Sequence, residues 1–271
     1  MNVLVVGTRE LRAGKTTFSR GLVVDMDAVG YKPRAGSDVW NHRDQYERAT
    51  SRGRLYGSDA RKLAAAGRGD RAPEDVNAIH RLWKPDPGSG TGLLGREDFA
   101  FVLDRVGESF VANATVEPPA ELRERLPVDD AVQVRSVEQL NAVIERRHVP
   151  ALRALGREIA ATDRAVVESY ADVARPIPGL EPDAVAVVEP ARVRVYDGTR
   201  FLRACEVATG GPGETALEER VGSVVGLADP ERTVALPALF EDERSDPDAV
   251  ARAYEDAYEA VRAVAAARQR A

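Results

Sequence analysis

Val3-Leu4-Val5-Val6-Gly7 and the segment Gly14-Lys15-Thr16-Thr17 that follows it decide the fold of this chain. Four apolar, mostly β-branched residues in a row predict a strand that is buried on both faces of a sheet. Residues 7–14 are predicted to form a loop, and residues 15–27 a helix. A second short strand is expected to end at Gly30-Tyr31-Lys32-Pro33. Strand, helix and strand together form the opening βαβ unit of a parallel sheet.

Apolar runs farther along the chain extend this sheet. Residues 165–167, 184–188 and 233–236 are predicted to be strands, and residues 192–207 one or two more. Helices are predicted over 73–83, 136–162 and 246–268, the second of them capped by Ser136, with a break at Pro150. The whole chain, 1–271, is therefore expected to be a single α/β domain. Its sheet is predicted to be doubly wound and mostly parallel, with helices on both faces and a hairpin inserted near 97–115.

Composition and charge restrict the class of function. The formal net charge is −6, which disfavours a nucleic-acid partner because such a partner requires a basic surface. No apolar run approaches the roughly 20 residues of a membrane-spanning helix, so we expect no membrane partner. Met1-Asn2-Val3 shows no signal-peptide pattern, and Cys205 is the only cysteine. Both features predict a cytoplasmic protein.

The loop between the first strand and the first helix has the features of a phosphate-binding loop, or P-loop. Backbone N–H groups of such a loop surround an anion, and the dipole of the following helix favours negative charge. Lys15 is expected to reach the β- and γ-phosphates of a nucleotide, and the Thr16 hydroxyl to ligate Mg²⁺. The candidate nucleotide-binding residues are Gly7, Thr8, Arg12, Ala13, Gly14, Lys15, Thr16 and Thr17.

The spacing of this loop departs from the common pattern. Six residues separate Gly7 from Gly14, where the common P-loop has four, and Arg9 stands at the position of the usual first glycine. The alternative interpretation is an ordinary strand-to-helix turn that happens to contain Gly-Lys-Thr. We favour a P-loop because the strand, the loop, the helix and the triplet coincide.

Four segments resemble dethiobiotin synthetase and its relatives, a branch of P-loop enzymes. They are Gly7-Thr8 with Gly14-Lys15-Thr16-Thr17, Gly30-Tyr31-Lys32-Pro33, Gly57-Ser58-Asp59-Ala60 and Val166-Val167-Glu168-Ser169. Their order and rough spacing match the family, but the loop has one extra residue. The glycines that follow the glutamate in the family are replaced by Ser169-Tyr170-Ala171, and the segment 99–113 has no counterpart.

The resemblance implies a Mg-ATP-dependent enzyme that activates a carboxylate or carbamate of a small-molecule substrate by phosphoryl transfer. Lys15 and Lys32 would be its catalytic residues, Thr16, Asp59 and Glu168 would hold the metal, and the protein would be a homodimer. Each match has a simpler interpretation. Lys32 could be a solvated strand end, Asp59 or Ser58 the N-cap of a helix, and Glu168 a strand-end charge.

A rival function is a nucleotide-dependent switch or assembly ATPase without ligase activity. A ligase needs a substrate pocket at Lys32 and the polar segment 34–43, whereas a switch needs loops that reorder with the γ-phosphate. A GTPase is disfavoured because the guanine-binding Asn-Lys-x-Asp sequence is absent from the chain. Two further features stay open. Lys84 could contact substrate or be a surface residue, and Gly210-Gly211-Pro212-Gly213 could be a second anion-binding loop, a turn that contacts the base, or a surface turn.

Overall fold

Two mixed β-sheets organise the part of the chain that the computed structural model describes, residues 1–8, 14–88, 90–94, 96–208 and 219–270. The strands are β1 (Asn2–Gly7), β2 (Val29–Tyr31), β3 (Arg34–Asp38), β4 (Ile79–Pro85), β5 (Phe99–Val106), β6 (Ser109–Asn113), β7 (Val132–Val134), β8 (Ala165–Glu168), β9 (Ala184–Glu189), β10 (Arg192–Asp197) and β11 (Arg232–Ala235). The first sheet has the order β11-β10-β9-β1-β8-β2, and the second has the order β3-β4-β5-β6-β7.

Helices connect and cover these strands. They are α1 (Lys15–Asp25), α2 (Arg43–Thr50), α3 (Ser58–Ala66), α4 (Ala120–Arg125), α5 (Val137–Val143), α6 (Val149–Ala161), α7 (Gly198–Ala208), α8 (Val221–Val224), α9 (Glu241–Ser245), α10 (Pro247–Ala253) and α11 (Glu255–Gln269). None of the helices in the described ranges has the length and apolarity needed to cross a membrane.

The predicted α/β class is confirmed, but the prediction of one mostly parallel sheet is wrong. Strands β9, β1, β8 and β2 run parallel to one another. Next to them, β10 is antiparallel to β9, and β11 is antiparallel to β10. The second sheet also mixes the two directions. Short connections explain the mixture. Pro190-Ala191 joins β9 to β10, with Ala191 at φ +63°, and so short a connection can join only antiparallel strands.

The core lies on both faces of the first sheet. Leu4 and Val6 face the cluster that includes Leu152 of α6 and Phe201 of α7. Val3 and Val5 face the opposite cluster, which includes Phe18 of α1 and Val261 of α11. Successive strand residues point to opposite faces, so the unbroken apolar run of β1 fills both clusters. The expected helices on both faces are confirmed.

Several predicted elements differ from the structure. The helix expected over 73–83 is wrong, because Ile79–Pro85 forms β4, held between β3 and β5. Sheet pairing on both sides overrides the local helical pattern. The strand expected through residue 207 ends at Asp197, whose carboxylate accepts a hydrogen bond from the Arg200 N–H and opens α7. The hairpin expected near 97–115 is formed by β5 and β6.

The long helix predicted over 136–162 is present with an irregularity. The Ser136 hydroxyl accepts a hydrogen bond from the Gln139 N–H at 3.2 Å, as the capping pattern predicts. A π-helical turn, Ile144–His148, separates α5 from α6, and Pro150 lies in the first turn of α6. Proline has no N–H to donate, so the helix tolerates it only at such a junction. The C-terminal helix is likewise divided, at Tyr254, into α10 and α11.

Acid sensitivity is the expected consequence of a buried histidine in the second sheet. The His80 Nε2 atom lies 2.9 Å from the Ser37 hydroxyl, and burial, with Arg105 adding to it, lowers the pKa of His80 to about 3. In the unfolded chain the imidazole of His80 takes up a proton near pH 6.5, whereas in the folded protein it does so only near pH 3. The free energy of unfolding therefore falls as the pH drops from about 6.5 to about 3. Between about pH 7 and pH 5 the loss amounts to about 2 kcal/mol.

The test is urea unfolding at both pH values. When the pH is lowered from about 7 to 5, the free energy of unfolding is expected to fall less for His80→Gln than for the wild type. Arg153→Gln, at an exposed position on α6, is the control, because it removes no group that titrates between these pH values, and it should behave as the wild type does. An equal loss in His80→Gln and the wild type would contradict the assignment.

Candidate functional site at the edge of the first sheet

Gly14 opens the site at the N-terminus of α1. Its backbone has φ +86°, a left-handed conformation that glycine adopts without strain. The first N–H groups of α1, as of any helix, have no intrahelical partner. No side chain of the described residues caps them either. A helix N-terminus of this kind favours an anion. Arg12 and Ala13, also predicted to bind nucleotide, lie outside the described residues.

Glu168 is the centre of the site. It ends β8, and the register of β8 with β1 pairs it with Val5, close to the start of the predicted loop. The side chain is fully buried. Its Oε1 atom accepts hydrogen bonds from the Thr16 hydroxyl at 2.9 Å and from the Lys32 ammonium at 2.5 Å. Its Oε2 atom is buried and has no hydrogen-bond partner among the described residues.

Lys32 lies directly after β2 and is only 3 % exposed. Its Nζ atom also donates to the Ser169 carbonyl at 3.1 Å and forms an ion pair with Asp59 at 3.5 Å. Burial alone would lower the pKa of Lys32, but Glu168 and Asp59 outweigh burial and raise it. Lys32 therefore stays charged between two carboxylates. The alternative interpretation, a solvated strand end, is wrong.

Asp59 approaches the same point from the first turn of α3. Its side chain is 43 % exposed. Burial would raise the pKa of Asp59, but Lys32 and Lys62 outweigh burial and lower it, with a further contribution from a hydrogen bond to Thr16. The N-cap of α3 is Gly57, and neither Ser58 nor Asp59 makes a capping bond. The alternative of a capping role is therefore wrong for both residues.

Lys15 lies across the end of β1. Its Nζ atom donates to the Ala171 carbonyl, and its methylene groups pack over Gly7. A Cβ atom at Gly7 would stand 2.8 Å from Lys15 Cδ and 3.1 Å from the Val188 carbonyl oxygen, so a larger residue at this position would displace the Lys15 side chain. Burial, followed by the charge of Lys32, lowers the pKa of Lys15. The two ammonium groups therefore lie close enough to repel each other.

These side chains surround a cavity of about 430 Å³, which we call the central cavity. Of the predicted residues, its walls contain Gly14, Lys15, Thr16, Thr17, Lys32, Asp59 and Glu168. Gly7 ends β1 beneath Lys15, and Thr8 follows it. Lys84 does not line the central cavity and donates instead to the Glu117 carbonyl at 2.8 Å. The turn at 210–213 lies outside the described residues.

The structure adds residues that the sequence did not indicate. Lys62, Tyr170 and Arg244 also line the central cavity. Lys62 follows Asp59 by three residues on α3, so the helical spacing could have indicated it. Arg244 carries no such signal, because only the tertiary fold brings α9 next to α1. Tyr170 stands where the dethiobiotin synthetase family has glycine, so the site differs from that family here.

Comparison with known proteins adds nothing to this geometry. No protein-family model matches the chain, and no curated protein or solved structure matches it.

Proposed function

We propose that this chain is a Mg-ATP-dependent enzyme with the P-loop nucleotidase fold, which transfers the γ-phosphoryl group of ATP to a carboxylate or carbamate. The environment of Glu168 carries the proposal. One oxygen of this buried carboxylate contacts both Thr16 and Lys32, and the other has no partner among the described residues. A buried carboxylate oxygen without a partner is costly, and a bound cation or its water would satisfy it.

The residues present fit a magnesium ion. Mg²⁺ prefers oxygen ligands, keeps several waters, and is usually held by one or two carboxylates together with phosphate oxygens. The Thr16 hydroxyl, Glu168 and Asp59 offer these oxygens within one cluster. The described residues contain no group of three or more potential His, Cys, Asp or Glu ligands. When bound, Mg²⁺ would neutralise charge on the phosphate oxygens.

The chain's own residues supply binding and charge stabilisation. The free N–H groups at the start of α1 bind phosphate oxygens. Lys15 exchanges the Ala171 carbonyl for the phosphates, and Lys32 stabilises the charge that develops on the transferred group. An anionic oxygen of the acceptor attacks the γ-phosphorus, the bond to the bridging oxygen breaks, and ADP leaves. An amine then attacks the acyl carbon, displaces phosphate and releases one proton to water. This ligase step derives from the family resemblance.

Phosphate release by the purified protein tests the proposal. Candidate acids and amines are added to protein with Mg²⁺ and ATP, and phosphate is measured with and without EDTA. Stimulation by an acid, and further by an amine, is the expected result. Hydrolysis that no small molecule stimulates but that changes the oligomeric state would favour the switch or assembly ATPase. Absence of nucleotide binding would overturn both.

Adenine nucleotides are expected to bind more tightly than guanine nucleotides. The sequence lacks the Asn-Lys-x-Asp segment that recognises guanine. Competition of ATP and GTP against a fluorescent ATP analogue measures the preference, with CTP as a control for binding through phosphates alone. Tighter binding of GTP would contradict the expectation.

A homodimer is expected from the family resemblance, in which the substrate lies near a subunit interface. Light scattering at working concentration, with and without Mg-ATP, measures the molar mass. A monomer under both conditions would contradict this prediction.

A further inference from the structure

A second cavity of about 560 Å³ adjoins the central cavity. Its walls come from α1, α3, α9 and the first residue of α10, and it shares Thr16, Thr17, Lys62 and Arg244 with the central cavity. A ligand that spans the two cavities would therefore pass beside the hydroxyl groups at the start of α1. We call this second space the basic cavity.

The charge of the basic cavity is strongly positive. Arg20, Arg61, Lys62 and Arg244 line it, and Glu241 is the one acidic residue among its described walls. Several partly buried arginines of the described structure have carboxylate partners, such as Arg54 with Glu74 and Arg262 with Asp25. In the basic cavity, by contrast, four basic side chains share walls that contain a single carboxylate, that of Glu241.

The cations of the basic cavity make no direct contact with a carboxylate of the described residues, although Lys62 lies close enough to Asp59 to lower the pKa of that carboxylate. The side chains of Arg61, Lys62 and Arg244 form no hydrogen bond or ion pair with any residue in the described ranges. Arg20 donates to the Arg244 and Ser245 carbonyls at 3.4 and 2.9 Å, but its Nε atom is buried and has no partner among the described residues. Burial, and then the charge of Arg61, lower the pKa of Arg20, and the charge of Asp246 only partly opposes them. Like charges held this close repel each other unless an anion lies between them.

We propose that the basic cavity binds a small molecule with two or more anionic groups, which is the acceptor substrate of the phosphoryl transfer. One anionic group lies between Arg20 and Arg61. A second extends past Lys62 and Arg244 toward the central cavity, where Lys32 and Glu168 are. Guanidinium groups bind carboxylate and phosphate through paired hydrogen bonds. The role as acceptor rests on the proposed function, whereas the anion site itself does not.

The test uses tricarballylate, a tricarboxylate, with propionate as the matched monocarboxylate. Binding to the nucleotide-free protein is measured by titration calorimetry at low ionic strength, where charge is screened least. The wild type is expected to bind tricarballylate more tightly than propionate. Arg61→Gln should weaken tricarballylate binding roughly tenfold, as expected for loss of a charged hydrogen bond, and Arg61→Lys should restore part of it. Because the Arg61 side chain forms no hydrogen bond or ion pair with the residues that the structure describes, these variants should fold normally.

Two controls separate the possible outcomes. Arg153→Gln, an exposed and unpaired position on α6 across the sheet, should leave tricarballylate binding unchanged. A non-hydrolysable ATP analogue with Mg²⁺ should bind wild type and Arg61→Gln equally and should not displace tricarballylate. The proposal is overturned if the wild type fails to bind tricarballylate, if Arg61→Gln binds it as the wild type does, or if the analogue displaces it. If tricarballylate binds as expected and the analogue does not bind, the anion site stands and the proposed function fails.

Discussion

Lys15→Ala is expected to lower ATP turnover by about a hundredfold or more, the cost of removing a group that stabilises charge in a transition state. Lys15 is the cation at the start of α1, next to the unpaired N–H groups that would bind the phosphates. The fold should persist, because the substitution removes a charge that Lys32 repels and that burial disfavours. Phosphate release and the free energy of unfolding are the two measurements.

Lys84→Ala is the matched control for this substitution. Lys84 donates to a backbone carbonyl, as Lys15 does, but lies outside the central cavity. Turnover by Lys84→Ala should equal that of the wild type. Full turnover by Lys15→Ala, measured beside active wild-type protein, would remove the P-loop assignment.

Glu168→Gln and Asp59→Asn are expected to lower kcat severely and non-additively. If the two carboxylates serve one metal, either substitution removes most of their joint effect, so the double variant should lose much less than the product of the single losses. Raised Mg²⁺ or Mn²⁺ should partly restore the single variants. Glu74→Gln, which breaks an ion pair with Arg54 outside the central cavity, is the control. Independent, multiplicative losses without metal rescue would contradict a shared metal site.

Stability separates the two carboxylates further. Glu168 is the closest partner of the buried Lys32, and removing one member of a buried pair costs about 3–5 kcal/mol. Asp59 is partly exposed, and an exposed ion pair contributes roughly 0–1 kcal/mol. Urea unfolding should therefore show a much larger loss for Glu168→Gln than for Asp59→Asn. The kcat comparison applies where both variants are folded.

Local patterns were enough to predict β1, α1 and the carboxylate that ends β8. An apolar run fixes a buried strand, and the carboxyl ends of parallel strands meet at one edge of a sheet. The second sheet was beyond such patterns, because β4 becomes a strand only by pairing with β3 and β5. Arg244 and Arg20 were missed for the same reason. Their cavity exists only where distant segments of the chain pack together.

The position of β8 determines when the site can form as the chain is synthesised. Strands β1 and β2 lie on either side of β8 and run parallel to it. Asn2 of β1 and Val29 of β2 both lie opposite Ala165, so β1 and β2 do not pair with each other. The N-terminal strand–helix–strand unit therefore has a gap one strand wide until β8 leaves the ribosome. Contacts this distant along the sequence form slowly, and the open strand edges are exposed to wrong partners meanwhile. A nascent chain that ends before residue 165 has the Gly-Lys-Thr segment but lacks β8. It therefore also lacks the Glu168 carboxylate, which accepts a hydrogen bond from the Thr16 hydroxyl.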